Sequence, residues 1–285
     1  MRRDVARLFD AMADSYERLE PWYEHLYARV HGILRAELRP AAAAVAPRAL
    51  DAGCGTGFQA AILEDLGWRV HGVDIAGRLL VRARTHLRAP ALALATLEAL
   101  PYRAATFDAV TCCGSTLSFV DDPVGALREL GRVLRPGGRL LLEVERKWSF
   151  DVAWMVLSAA TGDRLGYGVG ARELWRQLRR SPEGCRLDYP GYGRLRLFTM
   201  PELRAMLAAA GLGDVRSWGV HSVTNVIPST VLHRERLPRI LDAGYRLLCG
   251  LDRRLGATTL GRKLANSAVL LARRTMPPVA TSELP

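Results

Sequence analysis

The sequence has little of what marks a secreted, membrane-spanning or metal-binding chain. Its five cysteines form an odd set without a CxxC pair, which predicts neither a disulfide framework nor a zinc site, and we expect no metal. The longest stretch without a charged residue, 217–233, contains Asn225 and Pro228, so it predicts no membrane span. The first residues, MRRDVARLFD, lack the apolar core of a signal peptide, and we expect a cytoplasmic protein.

Lysine is almost absent, because only Lys147 and Lys263 occur among the 285 residues. Arginine therefore supplies nearly all of the positive charge behind the formal net charge of +11. One interpretation is an arginine-rich surface that follows from a GC-rich coding sequence. The other is an anionic partner, such as RNA or a lipid surface.

The apolar residues alternate between the periodicity of strands and that of helices. Strands are predicted at RALDA, WRVHGVD, ALALATL, FDAVTCC, RLLLEVE, DVRSWGVHS and NSAVLLARR, with helices at FQAAILEDL, IAGRLLVRARTHL, DPVGALRELGRVL and FTMPELRAMLAAAG. Repeated strand and helix units predict an α/β fold with a doubly wound, largely parallel sheet. Ligands of such sheets bind at the carboxyl ends of the strands.

Composition divides the chain into a core and three additions. The predicted order is an N-terminal helical lid at 1–47, the core at 48–145, an inserted cap at 146–197, the continued core at 198–222, a second helical insertion at 223–265, the last core strand at 266–275 and a disordered tail at 276–285. Within the lid we expect two helices, at roughly 2–15 and 21–38. In the continued core, Thr199 and Glu202 have the spacing of a capping box, and Gly211 should end that helix.

The stretch LDAGCGTG, residues 50–57, forms a glycine turn between a strand and a helix. Its spacing is GxGxG rather than the GxGxxG of dinucleotide-binding turns, and Asp51 stands two positions before the first glycine. A carboxylate there can meet an ammonium group, whereas an anionic pyrophosphate would gain nothing from it. A nicotinamide oxidoreductase is therefore disfavoured.

Asp74 ends the second predicted strand, where a carboxylate can accept both hydroxyls of a ribose. Such charge-assisted bonds contribute about 1.5 to 3 kcal/mol each. NAD enzymes and S-adenosylmethionine enzymes share this placement, so other residues must distinguish them.

Three ordered motifs follow within residues 97–145. They are ExLP at Glu98, Leu100 and Pro101, FDxV at Phe107, Asp108 and Val110, and LRPGG at 134–138. Together with the glycine turn, this region closely resembles the class I S-adenosylmethionine-dependent methyltransferases, particularly their small-molecule branch. The resemblance implies a Rossmann-like sheet with an antiparallel last strand, for which NSAVLLARR is the candidate, and S-adenosyl-L-methionine as the cofactor.

The same resemblance implies a set of cofactor-binding residues. Gly53, Cys54, Gly55 and Gly57, with Asp51 beside them, would hold the methionine and sugar part, Asp74 and Ile75 the ribose, and Leu97 and Glu98 the adenine, while Cys113 and Gly114 would lie beside the sulfonium. Many relatives carry a carboxylate where this chain has Thr96, which leaves the contact with the adenine amino group in doubt. The lid sequence FDAMADSYERLEPWYEH also resembles that of ubiquinone and menaquinone C-methyltransferases, which implies that Tyr16 closes over the cofactor.

A general base is optional in this chemistry, because the sulfonium methyl group is already a strong electrophile. Alignment of the reacting atoms can supply about 7 to 11 kcal/mol. His221 and Glu145 end predicted strands and are the candidate catalytic residues, with a hydrogen-bonded structural role as the alternative. His25 and His31 are weaker candidates.

The sequence therefore predicts direct in-line methyl transfer to a small, apolar or aromatic acceptor, without an obligate protein partner. RNA methylation remains an alternative, although the fourth strand ends in CCGS rather than in the tetrad of base N-methylating relatives, so nucleic acid is disfavoured. A second alternative is a quinone or lipid methyltransferase docked on a membrane through LPRILDAGYRLLCGLDRRL, for which packing on the core is the default interpretation. A cofactor-binding module without turnover is a third. The accepting atom, whether carbon, nitrogen, oxygen or sulfur, is left open.

Overall fold

The computed structural model of the protein describes residues 2–42, 45–179, 185–189, 191–232 and 238–275. The helices are α1 (Arg2–Glu37), α2 (Phe58–Asp65), α3 (Gly77–His86), α4 (Pro123–Val133), α5 (Phe150–Ala160), α6 (Ala171–Arg179), α7 (Met200–Ala209), α8 (Ser229–Leu232), α9 (Arg239–Leu255) and α10 (Thr259–Leu264). The strands are β1 (Arg48–Ala52), β2 (Arg69–Asp74), β3 (Ala91–Leu94), β4 (Phe107–Cys112), β5 (Leu134–Glu145), β6 (Cys185–Tyr189), β7 (Gly193–Leu197), β8 (Leu212–Val220) and β9 (Ser267–Arg274).

Seven strands form the main sheet in the order β3-β2-β1-β4-β5-β9-β8. The first five are parallel, whereas β9 is antiparallel to both of its neighbours, β5 and β8. The last strand of the chain thus inserts between two earlier ones, and the predicted α/β class with an antiparallel last strand is confirmed. The carboxyl ends of β1, β2, β4 and β5 meet at one edge of the sheet, where the loops discussed below are gathered.

Apolar side chains fill the space on both faces of this sheet. On one face α4 and α7 bury leucines such as Leu127, Leu130 and Leu203 against β1, β4 and β5. On the other face α1, α2 and α3 bury side chains such as Leu34 and Leu63. Successive side chains of β1 and β5 point alternately to the apolar clusters on the two faces of the sheet, as side chains of a strand do. These central strands are therefore covered on both sides.

The N-terminal segment differs from the sequence prediction. We expected separate helices at 2–15 and 21–38, but α1 runs without interruption through Arg2–Glu37, a length of 36 residues, so the predicted break is wrong. A proline at position 21 removes one backbone donor and disfavours an interior helical position. The helix nevertheless continues, because both halves bury apolar residues on the core, Ala13 in the first half and Leu34 in the second.

Acidic residues of α1 fasten its first half to α3. Asp10 Oδ1 accepts a hydrogen bond from the Arg78 amide at 2.8 Å and thereby caps the first turn of α3 from another helix. The guanidinium groups of Arg78 and Arg82 each lie 2.8 Å from the carboxylate of Asp14. These exposed pairs orient the helix, while the buried contacts of Ala13 and its neighbours supply its stability.

The chain between β5 and β8 adds a small layer with its own apolar cluster. Helices α5 and α6 and the β6–β7 hairpin enclose side chains such as Met155, Tyr167 and Leu187. After β8 come a 3-10 turn (Thr224–Val226) and helices α8, α9 and α10. The tail predicted to be disordered, 276–285, lies outside the described residues. Within the part of the chain that the structure describes, no helix is long and apolar enough to cross a membrane.

The capping box predicted at α7 is present and gives a test of the fold. The Glu202 carboxylate accepts the Thr199 amide at 2.8 Å, and the Thr199 hydroxyl accepts the Glu202 amide at 3.4 Å. Thr199→Ala should lower the free energy of unfolding by about 1 kcal/mol, because an amide at the helix start loses its acceptor. Urea titration measures this loss. Thr161→Ala, which removes an exposed hydroxyl at the C-terminal end of α5, should change the free energy of unfolding by less than half as much. Equal losses for the two variants would contradict a capping role.

Candidate active site

The glycine turn after β1 holds its backbone in conformations that L side chains rarely adopt. At Gly53, where φ is +78°, a Cβ atom would lie 2.3 Å from Cγ2 of Thr116. At Gly55, where φ is +52°, a Cβ atom would meet nothing within 4 Å. The first glycine therefore permits close packing on the loop after β4, and the second leaves open space beside the backbone.

Asp74, at the end of β2, fastens this turn to the sheet. Its Oδ2 accepts the Gly55 amide at 2.8 Å, and its Oδ1 accepts the Ala76 amide at 2.8 Å. Burial raises the pKa of this carboxyl, while the amide hydrogen bonds lower it in part. One side chain thus joins the glycine turn to the start of α3, with its remaining acceptor capacity directed to the space between them.

That space is a cavity, here named the first cavity, which extends from the glycine turn to the loop after β4. Nearly all of the predicted cofactor-binding residues line it, namely Tyr16, Gly53, Cys54, Gly55, Asp74, Ile75, Leu97, Glu98, Cys113 and Gly114. The sequence did not single out several other lining residues, including Phe9, Tyr27, Phe58, Gln59 and Phe119. The structure therefore brings together residues from four strand ends and from α1.

Two predicted residues, Asp51 and Gly57, lie behind the turn and do not line the first cavity. Asp51 is buried, and its Oδ1 accepts the Thr111 hydroxyl at 2.8 Å. Burial raises the pKa of Asp51 to about 7, although hydrogen bonds from Thr111 and the Ala60 amide lower it in part. Gly57 precedes α2 with φ at +94°, and a Cβ atom there would lie 3.4 Å from Cβ of Ala83. Asp51 Oδ2 has no hydrogen-bond partner among the described residues, and its predicted contact with a ligand's ammonium group stays a prediction.

The first cavity is acidic. Among the described residues that line it, Asp74 and Glu98 are carboxylates, and neither arginine nor lysine occurs. His31 also lines it, and burial together with the nearby Arg35 lowers the pKa of this histidine to about 4, so the ring is neutral at physiological pH. Such a lining favours a cationic ligand over one with a pyrophosphate.

A second cavity adjoins the first and lies under the inserted segments. Five residues line both cavities, namely Phe9, Tyr16, Tyr27, Gly114 and Phe119. Only the second is lined by Glu143, Glu145, Arg146, Asp151, Val152, Tyr189, Tyr192, Leu195, Leu197, His221, Asn225, Ser229, Asn266 and Ser267, among others. Both predicted catalytic residues, Glu145 and His221, therefore line the second cavity and not the first, and Gly114 lies where the two cavities meet.

The carboxyl groups of Glu143, which is buried, and Glu145, which is half-buried, form a pair at the end of β5. Glu143 Oε2 accepts the amides of Gly114 and Ser115 at 2.8 and 3.0 Å. Glu145 accepts the Ser115 hydroxyl at 3.0 Å and the Asn266 side-chain amide at 2.9 Å. Burial raises the pKa of both carboxyl groups, and the neighbouring Glu143 helps to raise that of Glu145 to about 8. The sequence missed Glu143, although it stands two positions before Glu145 and so shares its face of the strand.

His221 ends β8 with φ at +57°, in the left-handed region. Its amide donates to Asp252 Oδ2 at 2.8 Å, and its Nδ1 lies 3.1 Å from the Thr224 hydroxyl. A carboxylate of α9 therefore fixes the backbone of this histidine at the border of the second cavity. Its catalytic role stays a prediction, as does that of Glu145. The side chain of His25, the other histidine considered in α1 beside His31, lies outside what the structure describes.

Asp151 at the start of α5 joins the two inserted segments. It accepts hydrogen bonds from the Tyr167 hydroxyl at 2.7 Å, from the Ser229 amide at 3.1 Å and from the Tyr189 hydroxyl. The Tyr189 hydroxyl also lies 2.6 Å from the hydroxyl of Ser229. No sequence signal pointed to this network, because its members lie up to 78 positions apart and belong to no motif.

Comparison with known proteins identifies the domain that carries this site. Residues 50–142 match a family model described as a methyltransferase domain. The chain contains a class I S-adenosylmethionine-dependent methyltransferase domain. The family and the enzyme class predicted from the sequence are thereby confirmed for this domain.

The relatives of this methyltransferase domain differ in their reported reactions. The ubiquinone biosynthesis O-methyltransferase of Methylocella silvestris is 36% identical over 135 residues, which cover 46% of this chain and 52% of the relative. The chain thus spans about half the length of that curated relative. A possible histamine N-methyltransferase from Thermotoga maritima has a TM-score of 0.57 at 17% identity, covering 94% of this chain and 99% of its own.

A third relative connects the fold with its cofactor. The 1,6-didemethyltoxoflavin-N1-methyltransferase of Burkholderia thailandensis has a TM-score of 0.53 at 19% identity, covers 97% of this chain and 91% of its own, and was determined with S-adenosylhomocysteine bound. The predicted cofactor, S-adenosylmethionine, agrees with the methyltransferase domain that residues 50–142 match. The first cavity fits it, because its sulfonium and ammonium are cationic and the lining carries Asp74 and Glu98 without an arginine or lysine among its described residues.

Asp74 gives a direct test of that assignment. Asp74→Ala should weaken the binding of S-adenosylmethionine by about tenfold or more, equivalent to about 1.4 kcal/mol, because a charged acceptor is lost from the first cavity. Isothermal titration calorimetry measures the affinity. Asp65→Ala, which removes an exposed carboxylate at the end of α2 that pairs with Arg88, should leave the affinity unchanged. Equal affinities for Asp74→Ala and the wild type would place the cofactor elsewhere.

Glu145 predicts a dependence of stability on pH. Because its pKa is about 8 in the folded protein and 4.5 as the reference value, the folded state retains a proton that the unfolded state releases. The resulting stabilisation is complete below about pH 4.5 and is lost as the pH rises through about 8. Glu145→Gln should therefore gain at least about 1.4 kcal/mol relative to the wild type between pH 5 and pH 8, the equivalent of one pKa unit. Urea unfolding across this range measures the difference. Asp121→Asn, which changes an exposed carboxylate, should show the same dependence of unfolding free energy on pH as the wild type. If Glu145→Gln also shows that dependence, the raised pKa of Glu145 is refuted.

Proposed function

We propose that the protein transfers a methyl group from S-adenosylmethionine to a hydroxyl oxygen of a small molecule with an apolar or aromatic body. The single observation that carries this proposal is the contact of two cavities at Gly114, where an acidic cofactor cavity adjoins a second cavity with its own carboxyl pair. The cofactor, when bound, supplies an electrophilic methyl group. The chain's own residues must then align the acceptor and exclude water.

The residues shared by the two cavities suit that alignment. Gly114 has no side chain and leaves the passage between the cavities open, with φ at +71°. Phe9 and Phe119 pack edge to face at 5.2 Å beside it, and Tyr16 and Tyr27 complete an aromatic border. This border restricts the angle from which an acceptor atom can approach and leaves little room for water.

The second cavity has a lining for an amphipathic acceptor. Val152, Leu195 and Leu197 provide apolar contacts for its body. The network of Asp151, Tyr189 and Ser229 provides hydrogen-bonding groups that are already held in place. An aromatic or apolar molecule with one or two polar substituents fits this combination best.

Glu145 is the base that this geometry favours. Its carboxyl group lines the second cavity and is held by Ser115 and Asn266. As the acceptor oxygen bonds to the methyl carbon and the carbon–sulfur bond breaks, the hydroxyl proton would pass to Glu145. A base with a raised pKa takes such a proton more readily than an ordinary carboxylate. His221 is the second candidate in the same cavity.

Two observations support oxygen methylation of a small molecule over RNA methylation. The matched curated relative is named an O-methyltransferase. The second cavity carries three carboxyl groups, whereas its arginine, Arg146, donates to the carbonyl oxygens of Lys263 and Ala265. Among the described residues that line this cavity, no arginine or lysine other than Arg146 is present to pair with a phosphodiester.

The proposal is tested by methyl transfer with an isotopically labelled cofactor. The purified protein is incubated with S-adenosylmethionine that carries a labelled methyl group, together with phenols, hydroxylated quinols, amines and thiols. Mass spectrometry then locates the label. We expect a labelled methyl ether, with a rate that rises with pH and levels off above about pH 8, since the base form of Glu145 is required.

Substitution of the base sharpens this experiment. Glu145→Gln should lower kcat by about a hundredfold or more and abolish the rise with pH. Asp121→Asn should keep both the rate and the profile of the wild type. Label on nitrogen, carbon or sulfur would refute oxygen methylation, and cofactor binding without labelled product from any acceptor would favour a module without turnover.

A further inference from the structure

Helix α9 presents an apolar stripe to solvent. Ile240, Leu247 and Leu251 are 86%, 70% and 43% exposed, and with Gly244 they follow the spacing of one helical face. Isolated exposed leucines are common on protein surfaces, but three along one stripe of a single helix are a continuous patch. The surrounding described residues leave this face uncovered.

Helix α9 also carries four arginines. Arg239, Arg246 and Arg253 follow each other at intervals of seven and form a row on another side of the helix, whereas Arg254 stands beside Leu251 at the edge of the stripe. All four side chains are exposed. Arg246 lies 3.0 Å from the carboxylate of Asp242, so that charge is partly compensated, while the others add to a chain that is strongly basic as a whole.

The opposite side of α9 is fixed to the border of the second cavity. Tyr245 and Asp252 are buried there. Asp252 accepts the amides of His221 and Val223, each at 2.8 Å, so it holds the loop that brings His221 to the cavity. The exposed stripe and the border of the second cavity are therefore two different sides of one helix.

We propose that α9 binds the surface of an anionic lipid membrane. Its exposed leucines and isoleucine would enter the boundary between headgroups and acyl chains, and its arginines would contact lipid phosphates. Arginine and lipid phosphate form bidentate hydrogen bonds, which suits the row of guanidinium groups. This inference rests on α9 alone and does not depend on the reaction that the protein catalyses.

Charge decides between a membrane and the other occupants of such a face. A second copy of the chain would bring identical arginine rows together around the same stripe, at a net charge of +11 on each copy. A nucleic acid would match the arginines but would leave the aliphatic stripe in water. An anionic bilayer matches both features, because it offers phosphate at its surface and hydrocarbon directly beneath.

Docking by α9 would also place the second cavity near the lipid. Since Asp252 ties the helix to the His221 loop, a membrane-bound α9 would hold that loop close to the headgroup layer. A lipophilic acceptor could then reach the cavity without crossing bulk water. This consequence deepens the proposed function, and the binding experiment below does not require it.

Vesicle flotation tests the proposal with the full chain and without cofactor or acceptor. We expect binding to phosphatidylcholine vesicles that contain about 30% phosphatidylglycerol, weak binding to pure phosphatidylcholine, and a loss of binding in high salt. The combined substitution Ile240→Ser, Leu247→Ser and Leu251→Ser should lower the partition coefficient by roughly tenfold or more. Arg239→Gln, Arg246→Gln and Arg253→Gln together should lower it by a similar factor on the anionic vesicles only.

Matched controls keep this test specific. Val81→Ser with Leu94→Ser removes two apolar side chains that are 63% and 67% exposed elsewhere, and it should bind vesicles like the wild type. Circular dichroism and urea unfolding verify that each variant is folded. The proposal is overturned if the wild type does not float, if neutral and anionic vesicles bind equally, or if the serine variant still binds. It is also overturned if the serine variant converts a wild-type dimer into a monomer without any vesicle binding.

Discussion

The hydrogen bonds from Gly114 and Ser115 to the buried carboxyl group of Glu143 determine where the two cavities meet. Both residues have left-handed backbone conformations, with φ at +71° and +56°, and their amides would be costly to bury without an acceptor. Glu143 supplies that acceptor from the end of the neighbouring strand. One wall of the passage between the two cavities is thus backbone, held in place by the Glu143 side chain, and aromatic side chains border the rest.

Carboxyl groups accept hydrogen bonds from loop amides at two further places along the edge of the sheet. Asp74 accepts the amides of Gly55 and Ala76, and Asp252 accepts those of His221 and Val223. Carboxyl groups, rather than apolar contacts, shape the loops at the carboxyl ends of the strands. Burial raises the pKa of Asp74, Glu143 and Glu145, so these carboxyl groups retain a proton to higher pH than exposed ones do. Such shifted carboxyl groups are typical of sites where protons are transferred.

Local sequence patterns predicted most of the fold. The strands and the capping box at Thr199 depend on periodicity and on short-range backbone chemistry, which a single sequence records. The cofactor motifs were identified by their resemblance to those of methyltransferases. The continuity of α1 past Pro21 depends on burial of both its halves, which is a tertiary effect. The direction of Asp51 likewise depends on Thr111, sixty positions away. The Asp151 network could not be predicted, because its partners come together only when two inserted segments pack on one another.

Helix α1 borders both cavities through Phe9, Tyr16 and Tyr27. A single displacement of this helix would therefore open the routes to cofactor and acceptor at the same time. Its first half is held to α3 by Asp10 and by the two arginines on Asp14, contacts that lie near solvent. Because the same helix borders both cavities, the spent cofactor and the methylated product could leave through one opening step. Displacement of the helix would then be a step of turnover separate from the methyl transfer.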